Sequence, residues 1–276
     1  MTWRAVVSAL DDGLAFRSRV SMYLHPLAGR PLLWHVITTL LETTPRPREV
    51  RVLHRTDTAV SLGDLPDFVR FEPVERGRET RALRAAVTPA GMTVLADGAA
   101  PLVTAGTITR LIRAAQVGVA MVDAGDDHLP GIAVAGEGPA MASAEDPRRP
   151  DGSMRIASGS PAELLRVVDR HTLSEAAVVV RDRLVKRHEA QGVTFILPAT
   201  SWLDVDVRIG ADTLVYPGVV MEGATTIGSE CVIGPYSRII DSSVGRGAEL
   251  GGWNYLARTK VRNHAVLEPY ARRGME

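Results

Sequence analysis

The chain has 276 residues, 45% of them apolar, and its 32 basic side chains balance 32 acidic ones to a formal net charge of zero. That much apolar material fills a core, so the protein reads as globular, and the balanced charge removes the overall field with which a nucleic-acid or anionic-membrane binder gathers its partner. No window approaches the roughly eighteen uncharged apolar residues of a membrane span, MTWRAVVSAL at the start does not have the form of a signal peptide, and the lone Cys231 excludes an internal disulfide; a soluble protein of the reducing cytoplasm is expected.

In chain order, residues 5–10 (AVVSAL) read as a buried strand, and 31–42 (PLLWHVITTLLE) as a helix with Leu32, Leu33, Val36, Leu40 and Leu41 at helical spacing behind Pro31. Strand and helix then alternate: strand 48–55, a polar connection, strand 68–74, helix 79–89, strand 91–98, helix 104–116 and strand 118–125. This alternation predicts a mostly parallel sheet with helices on both faces, whose ligands bind beyond the carboxyl ends of the strands. Loops 11–21, 75–80 and 97–101 share that rim, and Asp12, Gly13, Arg17 and Arg81 are its candidate ligand-binding residues. His25 and His35 are read as structural. Residues 126–160, rich in Gly, Pro, Asp and Ala, read as loop with one strand at GIAVAG, and 161–190 as a helix ending at Gly192. The expected domains are 1–178, a linker helix 179–192, and 193–276.

After Gly192 the period becomes six. Ile209, Val215, Met221, Ile227, Ile233 and Ile239 fall in register, and Val244, Leu250, Leu256, Val261 and Leu267 continue the series with two five-residue steps, 239 to 244 and 256 to 261. An aliphatic residue every six positions, often followed by glycine, describes a parallel coil whose aliphatics stack inside a triangular prism, at roughly eighteen residues a turn and between three and four turns. Cys231 lies within it as a buried thiol rather than a nucleophile, and His264 as a residue of the coil surface rather than a base.

Residues 181–245, RDRLVKRHEAQGVTFILPATSW through IIDSSVG, resemble the junction and first coils of the GlmU-like family, bifunctional N-acetylglucosamine-1-phosphate uridyltransferases and glucosamine-1-phosphate acetyltransferases, and HPLAGRPLLWHV (25–36) is similar to a segment of its first domain. RGRETRALRAAV (76–87), the ADGAAPL region and SGSPAELLRVV (158–168) are similar to segments of methylerythritol-phosphate cytidylyltransferases. The resemblance implies a Rossmann-like nucleotidyltransferase domain of the GT-A type followed by a short left-handed parallel β-helix, with homotrimers formed through the helix.

Against the family's pattern, the phosphate turn here is LDDGLAF, with Asp11 at a glycine position, Ala15 at the arginine, and Ser21 and Met22 at a Pro-Lys pair. Phosphates need close backbone approach and positive charge, and two carboxylates supply neither; a solvated turn is the plain alternative at Asp11 and Asp12. The family's magnesium aspartate matches Ala99, which leaves Asp97 as the candidate metal ligand, and its second metal position matches Val168. Only 66 residues separate Leu102 from Asp169, little room for a sugar-clasping subdomain, and the acetyltransferase's later coils have no counterpart. Tyr236, Arg238, Asp241, Trp253, Asn254 and Tyr255 form a candidate interface site on the coil, or surface packing within a trimer.

Two functions follow. One is an oligomeric binding, regulatory or scaffold protein on a degenerate GlmU-like frame, binding a nucleotide, a sugar phosphate or another small molecule, with a true uridylyltransferase as a further partner. The other is an enzyme with an altered substrate, using magnesium at Asp97, or with different chemistry in the old cleft or at the trimer interface.

Overall fold

The computed structural model describes residues 2–56, 62, 65–122 and 132–274. The chain divides into two compact units: Met1–Pro26 with Pro31–Ala176, and Leu27–Arg30 with Ala177–Glu276.

The first unit is built on strands β1 (Arg4–Ala9), β2 (Val50–Arg55), β3 (Val69–Val74), β4 (Met92–Asp97), β5 (Ala120–Val122), β6 (Ala133–Glu137) and β7 (Met154–Ile156). They lie in the order β3-β2-β1-β4-β6-β5-β7. β1 pairs in parallel with both β2 and β4, while β6 runs antiparallel to β4 and β5. Every residue of β1 is buried, the pattern of a strand covered on both faces. The helices are α1 (Leu32–Leu41), α2 (Glu79–Val87), α3 (Ala105–Ala114) and the short α4 (Gly138–Ala142). Val6, Leu53, Leu95 and Val134 meet Leu83, Ala86, Val87 and Met141 of α2 and α4 in one core. α1 and α3 pack on each other and on the sheet, burying Leu33, Val36, Ile37, Leu40, Ile108 and Leu111 completely. Because the chain turns to opposite sides of β1 after β1 and after β2–β3, the connections beyond the carboxyl ends of β1 and β4 part at a switch point, the place where such sheets take ligands.

Two expectations change. The region 126–160 carries, besides β6, the helix α4 and the edge strand β7; Gly138 starts α4 so close to the chain that a Cβ there would stand 2.2 Å from the Pro89 oxygen, and no periodicity reports such a contact. Residues 123–131, which include the end of the expected strand 118–125, and residues 57–61, 63 and 64 of the connection fall outside the described residues. The helix expected from residue 161 begins at Arg170 as α5 (Arg170–Glu189), preceded by a single 3-10 turn at Pro161–Leu164. Val167 N–H donates instead to the Ala99 carbonyl at 2.7 Å, and Asp169 caps α5 by accepting from Thr172 N–H at 2.8 Å.

The second unit is a prism of short parallel strands in three sheets. One face runs through Leu214–Val215, Val232–Ile233, Glu249–Leu250 and Val266–Leu267, and the other two are built the same way. Inward residues stack by register, as Leu203, Met221, Ile239 and Leu256 do, and all four are buried. The prism begins at Thr194, two strands before Ile209, and its first step is irregular, because Phe195 of its first strand, Thr194–Phe195, lies eight residues rather than six before Leu203 of the second, Trp202–Leu203. Val220 lies under Arg238, 18 residues on, and Arg238 under Tyr255, 17 on, so each five-residue step shortens one turn by one residue. The corners turn through left-handed residues: Gly223, Asp241 and Arg258 on one, and Gly218, Tyr236, Trp253 and Tyr270 on another.

Candidate functional site

The rim of the first unit is organised by its backbone. β1 ends at Ala9, and the chain passes Asp11 and Asp12 into a turn at Gly13, whose φ of 63° suits glycine and whose Cβ would press on Met22 at 3.3 Å. Asp12 turns back on that loop, its Oδ1 accepting from Leu14 N–H at 3.2 Å, the local bond that makes aspartate a turn residue. Arg17 is exposed, with a left-handed φ of 47°. At the end of β4, Gly98 N–H donates to the Ser8 carbonyl at 2.9 Å, which ties the two strand ends together. A Cβ on Gly98 would lie 2.8 Å from that same oxygen, so only glycine fits.

Asp97 stands at this junction, its side chain 9% exposed. Its Oδ1 accepts from Ala99 N–H at 2.8 Å, and its Oδ2 accepts from Arg166 Nε. The same guanidinium donates through Nη2 to Asp11 Oδ2 at 3.1 Å. One arginine therefore bridges a carboxylate at the end of β4 and one just beyond the end of β1. Burial pushes the Asp97 carboxyl above its ordinary range even with Arg166 beside it. Burial also works against the charge of Arg166, but Asp97 and Asp11 more than offset it and hold the guanidinium above its usual value. Two carboxylates and one guanidinium leave one net negative charge.

Tyr23 closes the floor, 2% exposed, its hydroxyl accepting from Asp11 N–H at 3.2 Å. Burial and then the charges of Asp11 and Asp97 raise its pKa well above that of a free phenol. Arg148 lies near enough to feel Asp11 and Asp97, but its hydrogen bonds go first to Asp146, with Nη2 to Oδ2 at 2.8 Å. Arg170 Nε donates to the Phe16 carbonyl at 3.1 Å, and Phe16 packs on His25 with ring centroids 4.8 Å apart.

Of the residues expected at the rim, the structure brings Asp97 together with Asp11. Asp12 and Gly13 shape the turn, Arg17 stands exposed on its far side, and Arg81 is an exposed residue of α2. Arg166 and Tyr23 were not among the expected residues. Arg166 sits in a stretch with helical spacing, and its role depends on the contact of Val167 with Ala99, which no local pattern announces. A cation is what two aspartates near one strand end would demand, and that charge rule is the one signal that could have led to it. Among the described residues no group of three or more His, Cys, Asp and Glu is placed to hold a metal ion.

On the prism, Tyr236 and Trp253 stack at 5.6 Å with planes 25° apart, and Trp253 and Tyr270 at 5.5 Å with planes 20° apart. All three are exposed, at 60%, 48% and 68%. Arg238 of the neighbouring face pairs with Glu222 at 2.5 Å, and Asp241 accepts from Ala224 N–H at 2.9 Å. Tyr255 lies above Arg238 in register. Asn254 is buried, its Nδ2 donating to the Glu268 carbonyl at 2.8 Å, so it locks one turn to the next rather than facing a ligand. Cys231 is buried, its thiol donating to the Gly245 carbonyl at 3.1 Å, and burial pushes its pKa up. His264 is a corner residue at φ 55°.

Residues 206–241 match the family model for the bacterial transferase hexapeptide (six repeats). The chain is 26% identical over 326 aligned positions to the bifunctional protein GlmU of Bacillus velezensis, an alignment spanning 97% of this chain and 71% of that protein. It is 39% identical over 121 positions to the bifunctional protein GlmU of Thermoanaerobacter pseudethanolicus, covering 44% of this chain and 26% of the relative. The structure of a nucleotidyl transferase from Methanothermobacter thermautotroptrophicus superposes with a TM-score of 0.50 at 18% identity, over 68% of this chain and 99% of that one. Over most of its length the chain is similar to GlmU proteins, and its fold is a Rossmann-like nucleotidyltransferase domain followed by a left-handed β-helix of hexapeptide repeats. No described helix is long and apolar enough to cross a membrane.

Proposed function

We propose that the protein is an oligomeric binding and scaffold protein on a sugar-nucleotidyltransferase-like frame, and that it has given up ordinary magnesium-dependent nucleotidyl transfer. The bridge from Arg166 to Asp97 and Asp11 carries this reading. The position between the two strand ends is already filled by a covalent cation. A metal ion would have to displace a largely buried guanidinium that is held by both partners. The aspartates of the turn add negative charge where an incoming triphosphate needs positive charge. A phosphorylated ligand is left to exposed cations of the rim such as Arg17 and Arg81. The relatives support assembly through the hexapeptide coil as a homotrimer, alone or mixed with a true GlmU-type chain.

Pyrophosphate release from nucleoside triphosphates with sugar phosphates, measured with and without magnesium, tests the reading; robust magnesium-dependent release overturns it. A thermal-shift screen of the same compounds identifies the ligand, since a compound present at a hundredfold its Kd stabilises by about 2.7 kcal/mol. Light scattering after size exclusion reads the trimer. A second reading, transfer to an altered substrate, is favoured by the place of Asp97 at the sheet's switch point; Asp97→Ala then abolishes turnover, and an unchanged rate rejects it.

A further inference from the structure

The second unit holds a cavity of about 370 Å³ at the C-terminal end of α5, lined by Arg187, His188, Gln191, Val207 and Arg208 among others. It is separate from the rim of the first unit, since every residue lining it belongs to the second. Its charges sum to a positive field. Asp206 on the wall is matched by Arg30 at 2.6 Å, which leaves the guanidinium groups of Arg187 and Arg208. Arg187 spends one N–H on the Val205 carbonyl at 3.3 Å, and the Arg208 side chain makes no hydrogen bond or ion pair among the described residues.

His188 is the second observation. It is 2% exposed, and neither ring nitrogen makes a hydrogen bond of full geometry, the Val207 backbone offering only a weak one. A buried imidazole so weakly partnered is uncommon, because most of its lost hydration is uncompensated, and it points to a group that enters from outside. Burial, and then Arg187, hold its pKa down at about 4, so the ring is neutral at pH 7 and offers one N–H without adding charge.

We propose that this cavity binds a small organic anion. Arg187 and Arg208 hold its charged group, Val205 and Val207 meet its apolar part, and the His188 imidazole donates to it. Both ring nitrogens are shut off from solvent, so the donation requires the ring to turn, and its resonances report that turn.

The test titrates phenyl phosphate and benzoate into the full chain, by calorimetry and by nitrogen–proton spectra of the histidine rings. Saturable binding of either is expected, with phenyl phosphate alone assigning a phosphate and benzoate alone a carboxylate. Arg187→Ala with Arg208→Ala, both exposed positions whose loss spares the fold, should weaken it at least about tenfold. Arg17→Ala with Arg81→Ala should leave it unchanged. No saturation by either probe, an unaltered Kd in the first double variant, a weakened one in the second, or His188 resonances that stay still at saturation overturns the proposal.

Discussion

Replacing Arg166 by methionine roughly keeps the volume of the side chain and removes its charge, so Asp97, 9% exposed, loses the one cation hydrogen-bonded to it among the described residues. Removing one partner of a buried ion pair costs about 3–5 kcal/mol. The lower end applies here, because Asp11, the second partner, is 39% exposed and recovers solvation in water. About 3 kcal/mol corresponds to a fall of roughly 6–12 °C in the melting temperature of a domain this size. The sign with pH is definite. Asp97 already has a raised pKa in the folded state, and losing Arg166 raises it further. A raised folded pKa gives stability that is complete below the unfolded value and lost as pH rises through the folded one. The deficit of Arg166→Met is therefore largest at neutral pH and shrinks toward pH ~4, where the carboxyl of an unfolded aspartate protonates. Adding Asp97→Asn should restore much of the loss at neutral pH. Denaturant melts of the single and double variants at neutral and acidic pH measure this. A single variant as stable as the parent at neutral pH, or a deficit that grows on acidification, refutes the account of the bridge.

Three further outcomes are expected. His188, held down to about 4 by burial first and Arg187 second, contributes stability that is present above its unfolded pKa and lost as pH falls toward 4; the loss amounts to roughly 3 kcal/mol, and His188→Gln should flatten that acid limb in a pH series of unfolding curves. Trp253→Ala removes two ring contacts worth about 0.5–1.5 kcal/mol each but keeps a left-handed backbone at φ 49°. Trp253→Gly relieves that strain by about 1 kcal/mol, so the glycine variant should melt above the alanine one, and the reverse order would falsify the assignment of strain to this corner. Gly98→Ala drives a methyl to 2.8 Å from the Ser8 oxygen and should destabilise by about 1–3 kcal/mol, read by denaturation.

Much of this molecule is written locally. AVVSAL and GMTVLADG announce their strands by largely apolar runs and REVRVLHR by the alternation of Val50 and Val52 with charged residues, and the three stretches form β1, β4 and β2. The prism is legible from Ile209 onward because each inward position must be aliphatic to stack on the one 17 or 18 residues before it. Its first strand is not, since Phe195 fills the same interior eight residues before Leu203 instead of six. Asp97 stands out by its place at a strand end. Arg166 does not, because a salt bridge across 69 residues leaves no periodicity behind it.

By itself the amino-acid sequence determined the alternation of strand and helix, the change of period after Gly192, and the aspartates in the turn where phosphates would need cations, since each rests on residues close along the chain. Only the tertiary structure decided that Val167 leaves the helix to pair with Ala99, which carries Arg166 between Asp97 and Asp11, that His188 is sealed with only a weak partner, and that Tyr236, Trp253 and Tyr270 form one column. Those are contacts between distant residues, and their energies come from burial and charge at a place in space rather than from neighbours in the chain.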